Sequence, residues 1–359
     1  MRNKGFALKA IAALSVVALL ATACSKSSST TSASGTGDCE SVSGSPIITF
    51  AAYSTPREVY GKIISAFQDK WKTDNDGQSV IFQESYGGST TQAQNVVNGF
   101  PADIVALSLA PDVRQIQDAG LITHDWTATA DKGMVSSSVV VFDVRPNNPE
   151  GIVDFNDLAK AGMEVLTPDP AASGGARWNI VGAYGSAMRG YSGNAKDDQA
   201  GAQTLLTGIF KNVIALDKSA RDSIKNFEAG NGNVAITYEN EVMTAKKAGL
   251  PDEAVYPPST IMIENPVAVV DVNAKKHCVE DVANAFVDFL HTPDAKELYT
   301  SVGFLRSTDY QQAKKGGGDF PAIEDLFTVD DLGGWDQIAQ TVFGEPDGVF
   351  TKAFAAAQG

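Results

Sequence analysis

Runs of β-forming apolar residues alternate with helical apolar stripes along most of this chain, and that alternation is the strongest limit on its fold. Residues 47–53 (IITFAAY) are apolar and rich in β-formers. Residues 58–71 then carry Val59, Tyr60, Ile63, Ile64, Phe67 and Trp71 on one face of a 3.6-residue period. Residues 80–85, 102–107 and 139–144 read as strands, with helical stretches at 92–97 and 111–119 between them. The alternation continues through 153–161, 164–167, 174–188, 203–210, 213–216, 220–229 and 234–237. A further strand is expected at 267–271, with helices near 282–291 and 294–301. This pattern predicts an α/β architecture, mostly parallel sheet with helices on both faces. No segment repeats at a fixed period.

With 359 residues the chain is long for one such sheet, so two lobes are expected. Residues 45–138 and 239–303 are assigned to lobe 1, and residues 139–238 and 304–359 to lobe 2. The first crossover between them is placed at 139–144 and the return at 237–239.

The start of the chain speaks to compartment. Arg2, Lys4 and Lys9 precede an apolar run at 10–20, then Ala21-Thr22-Ala23-Cys24. A basic start, a short apolar stretch and small residues before a cut site read as a signal peptide over residues 1–23. The run is shorter than the roughly 20 residues that a membrane span needs. Cys24 directly after the small residues resembles a bacterial lipobox, which implies cleavage before Cys24 and lipid on its thiol. A plain signal peptide cut near Ala23 is the alternative. Residues 24–44 are mostly Ser, Thr and Gly and read as a flexible tether. Cys39 and Cys278 remain as a candidate disulfide in an oxidising compartment, with two free thiols as the alternative. A body held by lipid and a stalk outside the membrane suggests capture of something at the cell surface.

Charge and chemistry exclude several functions. There are 28 Lys+Arg against 43 Asp+Glu, a net charge of −15. Loss of the leader removes three bases and no acid, making the body more negative still. Such a chain is a poor ligand for nucleic acid, where lysine and arginine supply the affinity. Three histidines (His124, His277, His291) and three cysteines leave no zinc cluster, and no metal or cofactor is expected. No phosphate-binding P-loop or dinucleotide fingerprint occurs, and Gly-x-Ser-x-Gly is absent around Ser89 and Ser173.

Three glycine- or serine-rich turns, each between a strand and a helix, carry the functional signal. They are Ser85-Tyr86-Gly87-Gly88-Ser89-Thr90, the turn over residues 168–178 that runs through Ser173-Gly174-Gly175-Ala176-Arg177, and Asp217-Lys218-Ser219-Ala220-Arg221. A helix N-terminus exposes up to four unbonded N–H groups and about half a positive charge. Glycine lets a ligand approach the backbone, and serine adds a hydroxyl. Such ends are natural anion sites, although ordinary capping explains any one of them alone.

The residues around these turns resemble a known family. Tyr53-Ser54-Thr55-Pro56-Arg57-Glu58, Tyr86-Gly87-Gly88-Ser89, Ser173-Gly174-Gly175-Ala176-Arg177-Trp178-Asn179 and Tyr238-Glu239-Asn240-Glu241 are similar to successive signatures of the bacterial sulfate/thiosulfate-binding proteins. These are solute receptors of ABC importers. The likeness runs from about residue 47 to about residue 306. It implies a two-lobed periplasmic-binding-protein-like fold of type II, with the ligand in the cleft between lobes. By the same resemblance, backbone N–H groups of Ser54, Ser89, Gly174, Gly175 and Ala220 and the Ser173 hydroxyl face the ligand. Tyr238 stands where the family usually has tryptophan, and Ser54 where aspartate is common. Arg57 and Arg177 are read as braces for their loops, and Glu239 and Glu241 as acids favoured by a helix start.

Neutral donors suit a fully ionised oxyanion, which accepts hydrogen bonds and has no proton to place. Each such bond to a charged partner is worth about 1.5–3 kcal/mol before desolvation. Phosphate near neutral pH keeps a proton and is disfavoured by a site without an acceptor. The expectation is therefore a monomeric, lipid-anchored, extracytoplasmic receptor that captures sulfate or thiosulfate and hands it to ABC permease subunits. The alternatives are a receptor of the same fold for molybdate or phosphate and a secreted hydrolase.

Overall fold

Strand β1 (Ile47–Tyr53) forms in the most continuously apolar β-forming run, and its residues from Phe50 to Tyr53 are buried. It pairs in parallel with β2 (Ile81–Gly87) on one side and with β3 (Ile104–Ala106) on the other. The computed structural model that shows this describes Cys39 and residues 44–359. The expected leader over residues 1–23, Cys24 and the tether other than Cys39 and Gly44 lie outside the described residues.

Two long strands organise everything else. Strand β4 (Met134–Val144) is followed by β5 (Val165–Pro168), β6 (Val213–Asp217), β7 (Val234–Tyr238), β8 (Glu253–Val255), β9 (Ser259–Val269) and β10 (Asp325–Phe327). The main path of the sheet runs β2-β1-β3-β9-β4-β7-β5-β6. The start of β4 pairs antiparallel with β9, and its end, Val140–Val144, pairs antiparallel with β7. In the same way β9 meets β10 at its start, β4 in its middle and β3 at its end. The outer strands of each lobe, β2-β1-β3 and β7-β5-β6, are parallel. The chain thus has two parallel half-sheets joined by an antiparallel pair of crossing strands, a two-lobed α/β fold.

The crossing strands differ from the expectation in two ways. Strand β4 starts at Met134, because Ser136, Ser137 and Ser138 are buried within it. Their hydroxyls find Asn265 Oδ1, Ser307 O and Asn240 Oδ1, so a polar run is held in a core strand. The return is made by β9 and not by residues 237–239. Tyr238 instead caps the helix Glu239–Lys247, which stays against β4 through buried Val242. Glu239 is fully buried and accepts two hydrogen bonds from Arg306, each at 2.6 Å. Such a bidentate pair fixes the direction of the chain and is costly to break from one side.

Each lobe has its own core. Around β1 it is aromatic, with Phe286 of the helix Glu280–Leu290 lying 5.0 Å from the Phe67 ring and 5.8 Å from that of Phe50. Burying a side chain of this size stabilises the fold by about 1.5–3 kcal/mol. The second core surrounds the helix Gly174–Met188, which is buried at every position except Arg177 and Met188. Apolar and small residues all round its circumference let it pack between the helix Gln199–Lys211 and β9, and the C-terminal helix Val349–Gln358 covers Gln199–Lys211. Cys39 and Cys278 are joined by a disulfide that ties the start of the described chain to the first lobe. No helix among the described residues is long and apolar enough to cross a membrane.

Candidate anion-binding site

Four strand ends aim helices at one point. Strand β1 leads through Ser54 and Thr55 into the helix Arg57–Asp74, and β2 leads through Gly88 into Ser89–Val97. Strand β5 leads to Ser173 and the helix Gly174–Met188, and β6 to Ser219 and Ala220–Glu228. The first two belong to one half-sheet and the last two to the other, so the turns face each other across the crossing strands.

They enclose a cavity of about 10 Å³ lined by Tyr53, Ser54, Thr55, Gly87, Gly88, Ser89, Ser108, Ser173, Gly175, Ala220 and Tyr238. That is smaller than the roughly 300–1,000 Å³ of clefts that take drug-sized ligands. Among these lining residues none is charged. The backbone N–H groups of Ser54, Ser89, Gly174, Gly175 and Ala220 meet no acceptor among the described residues. Ser173 precedes its helix without capping it, which leaves its hydroxyl for the cavity. The arrangement offers hydrogen-bond donors and partial positive charge from helix ends, with no mobile counter-ion.

Six of the seven ligand residues expected from the sequence line this cavity: Ser54, Ser89, Ser173, Gly175, Ala220 and Tyr238. Gly174 does not. Its Cα packs on Ser108, where a Cβ would come within 2.6 Å of the hydroxyl oxygen and 2.8 Å of Leu109. The sequence reading missed Ser108, Tyr53 and Thr55. Ser108 joins β3 to the next helix without a glycine to mark the turn. Its N–H donates to Ser89 Oγ at 2.9 Å, its carbonyl accepts from the Trp178 indole at 2.8 Å, and its hydroxyl is 2.8 Å from that of Tyr238. The Tyr53 hydroxyl and Thr55 Oγ1 are buried with no hydrogen-bond partner.

Behind the cavity, polar groups hold the donors in place. The Ser89 hydroxyl donates to Asp112 at 2.5 Å, so Ser89 presents its N–H and not its side chain. Burial pushes the Asp112 carboxyl up, against the pull of Ser89 and of the Arg177 charge. Burial likewise raises the Tyr238 hydroxyl, keeping it protonated and able to donate. Arg57 lies over the Tyr86 ring at 5.3 Å, and Arg177 over Phe343 at the same distance while donating to Pro170 O. Both therefore brace loops. Asp222 accepts from Ser219 Oγ at 2.8 Å in an ordinary helix cap.

The two halves of the cleft touch. Thr91 donates from its N–H to Ala172 O at 3.1 Å, and Trp178 reaches Ser108. A Cβ on Gly88 would overlap the carbonyl oxygen of Ala172 and lie 2.7 Å from that of Lys218. Glycine is required at this contact for the halves to meet as they do.

Comparison with known proteins agrees with this architecture. The family model for bacterial extracellular solute-binding proteins matches residues 48–305. The chain is 40% identical to the sulfate-binding protein of Synechococcus elongatus, over 88% of this chain and 89% of that one. It is 39% identical to the sulfate-binding protein of Escherichia coli, over 79% and 86%. To the thiosulfate-binding protein of the same organism it is 31% identical, over 82% and 87%. Among solved structures, the sulfate-binding protein SubI of Mycobacterium tuberculosis superposes with a TM-score of 0.72 at 35% identity, covering 83% of this chain and 99% of that one.

Proposed function

The chain belongs to the bacterial extracellular solute-binding proteins, in the group of sulfate- and thiosulfate-binding proteins, and from that premise we propose that it captures sulfate outside the cytoplasm for an ABC importer. One observation carries the reading. Unpaired N–H groups at several helix starts converge on a small cavity whose lining holds no charged side chain. A dianion without protons satisfies every such donor. Hydrogen phosphate brings a proton that these N–H groups cannot accept.

In this reading Ser54, Ser89, Gly175 and Ala220 bind through backbone N–H groups, Gly174 contributes its N–H from the first helical turn, and Ser173 and Tyr238 bind through hydroxyls. The lobes flanking β4 and β9 close on the ion as near-rigid bodies and open to release it to permease subunits. No bond is broken. The protein acts as a monomer tethered by lipid on Cys24. Replacing Cys24 with alanine would then move it from the membrane fraction to the soluble one.

Calorimetric titration with sulfate, thiosulfate, molybdate and phosphate tests the ligand. Micromolar or tighter binding of sulfate, about −8 kcal/mol or better, with phosphate much weaker, is expected. Phosphate binding as tight as sulfate binding would overturn the argument from neutral donors.

A further inference from the structure

Arg221 follows Ala220, whose N–H faces the cavity, and its side chain reaches across the cleft. Its Nε donates to Glu241 Oε2 at 2.8 Å within its own half. Its two terminal nitrogens donate to the Glu58 carboxylate of the opposite half at 2.6 and 3.0 Å, and one of them also donates to Thr55 O at 2.8 Å. The Glu241 side chain is 2% exposed and that of Glu58 is 52% exposed. One end of the guanidinium is thus fixed to a buried carboxylate, while the other grips the start of the facing helix Arg57–Asp74.

We propose that Arg221 is the clamp that couples anion capture to closure, a positioning residue that holds the two halves shut without touching the ligand. The proposal rests on the anion-capture reading. Its charge is met by two carboxylates, so it adds no net positive charge to a cavity built from neutral donors. Its anchor points lie next to donors: Thr55 follows Ser54, and Arg221 itself follows Ala220. An anion that draws those two N–H groups together brings Arg221 within reach of Glu58 and Thr55 O. Closing the clamp presents the same N–H groups to the anion, so each event favours the other. The planar fork matches a carboxylate and a carbonyl at once, which a lysine ammonium cannot do.

The test uses the full chain with sulfate as probe, read by stopped-flow kinetics and calorimetry. Glu58→Gln removes the charge on the exposed side and leaves the buried Arg221–Glu241 pair intact, so its fold is safe. It is expected to speed sulfate dissociation about two- to fivefold with the association rate unchanged. Arg221→Gln should speed it more than about tenfold, with Arg221→Lys in between. Adding Glu58→Gln to Arg221→Gln should change nothing further. Wild-type dissociation rates in both single variants would overturn the clamp. Should the parent protein ignore sulfate, the functional reading falls, and scattering decides the clamp alone. Arg221→Gln then enlarges the radius of gyration if the clamp holds the halves together, and an unchanged radius rejects it.

Discussion

Ser108 Oγ and the Tyr238 hydroxyl lie 2.8 Å apart, each buried, at the point where the two halves of the cleft meet. One of the two must spend its proton on the other, so the pair has a single proton left for the cavity. Tyr238→Phe frees the Ser108 hydroxyl to turn inward and take over that role. The loss of sulfate affinity should therefore be modest, about three- to tenfold, close to one neutral hydrogen bond. Ser173→Ala removes a hydroxyl that has no such understudy, and should cost more than about tenfold. Calorimetry on the two variants orders them, and an equal or larger loss for Tyr238→Phe would show that the pair does not share a proton in this way.

Gly88 sets how near the halves come. A methyl group there meets the carbonyl oxygens of Ala172 and Lys218, both backbone atoms that cannot step aside cheaply. Gly88→Ala should weaken sulfate binding by more than about tenfold, as off-geometry donors lose their charged hydrogen bonds. Because the residue has an ordinary φ of −64°, the variant should leave the thermal midpoint of the unliganded protein unchanged. A lowered midpoint with unaltered affinity would assign Gly88 to folding instead.

Tyr53 gives a prediction of opposite signs. Its hydroxyl is buried and lacks a partner, a state that costs the protein about 1–3 kcal/mol on its own. Tyr53→Phe should therefore raise the melting temperature without ligand and lower sulfate affinity, since the hydroxyl of a cavity-lining residue is positioned to donate to the ion. If both quantities move the same way, the hydroxyl does not serve the ligand.

How far these features could be read from the chain depended on whether their cause was local. The turns before Ser89, Gly174 and Ala220 were legible because a strand, small residues and a helical stripe follow one another in sequence. Ser108 was not, because its turn has no glycine and its place is set by Trp178, 70 positions away. The reach of Arg221 was hidden for the same reason, since Glu58 lies 163 positions earlier. Strands β4 and β9 begin with Ser-, Thr-, Glu- and Asn-containing stretches whose hydroxyls and amides are satisfied only by neighbours in the folded sheet. An apolar-run criterion therefore started both strands too late. It also misplaced the return crossover at the end of β7, where a buried Glu239–Arg306 pair instead turns the chain into a helix.

Asp143 should dominate the pH dependence of stability. It lies in β4 between β7 and β8, is fully buried, and neither carboxyl oxygen has a hydrogen-bond partner. Burial pushes its carboxyl up to about 8, helped by the nearby Asp252 and Glu228 charges and opposed by Arg145. In the unfolded chain an aspartate titrates near about 3.9. The folded state therefore holds the proton more tightly. Its contribution to stability is complete below about pH 4 and is lost as pH rises through about 8. Asparagine is similar in shape and cannot ionise, so Asp143→Asn should match the parent only below about pH 4, already be the more stable at pH 5, and gain further on it until the gap levels off above about pH 8. Urea unfolding at pH 5, 7 and 9 reads this as a widening gap in midpoint, at most about 1.4 kcal/mol per pH unit between the two titrations. A gap that stays constant across that range would mean that Asp143 is ionised in the folded protein and paired with something the buried face of β4 does not display.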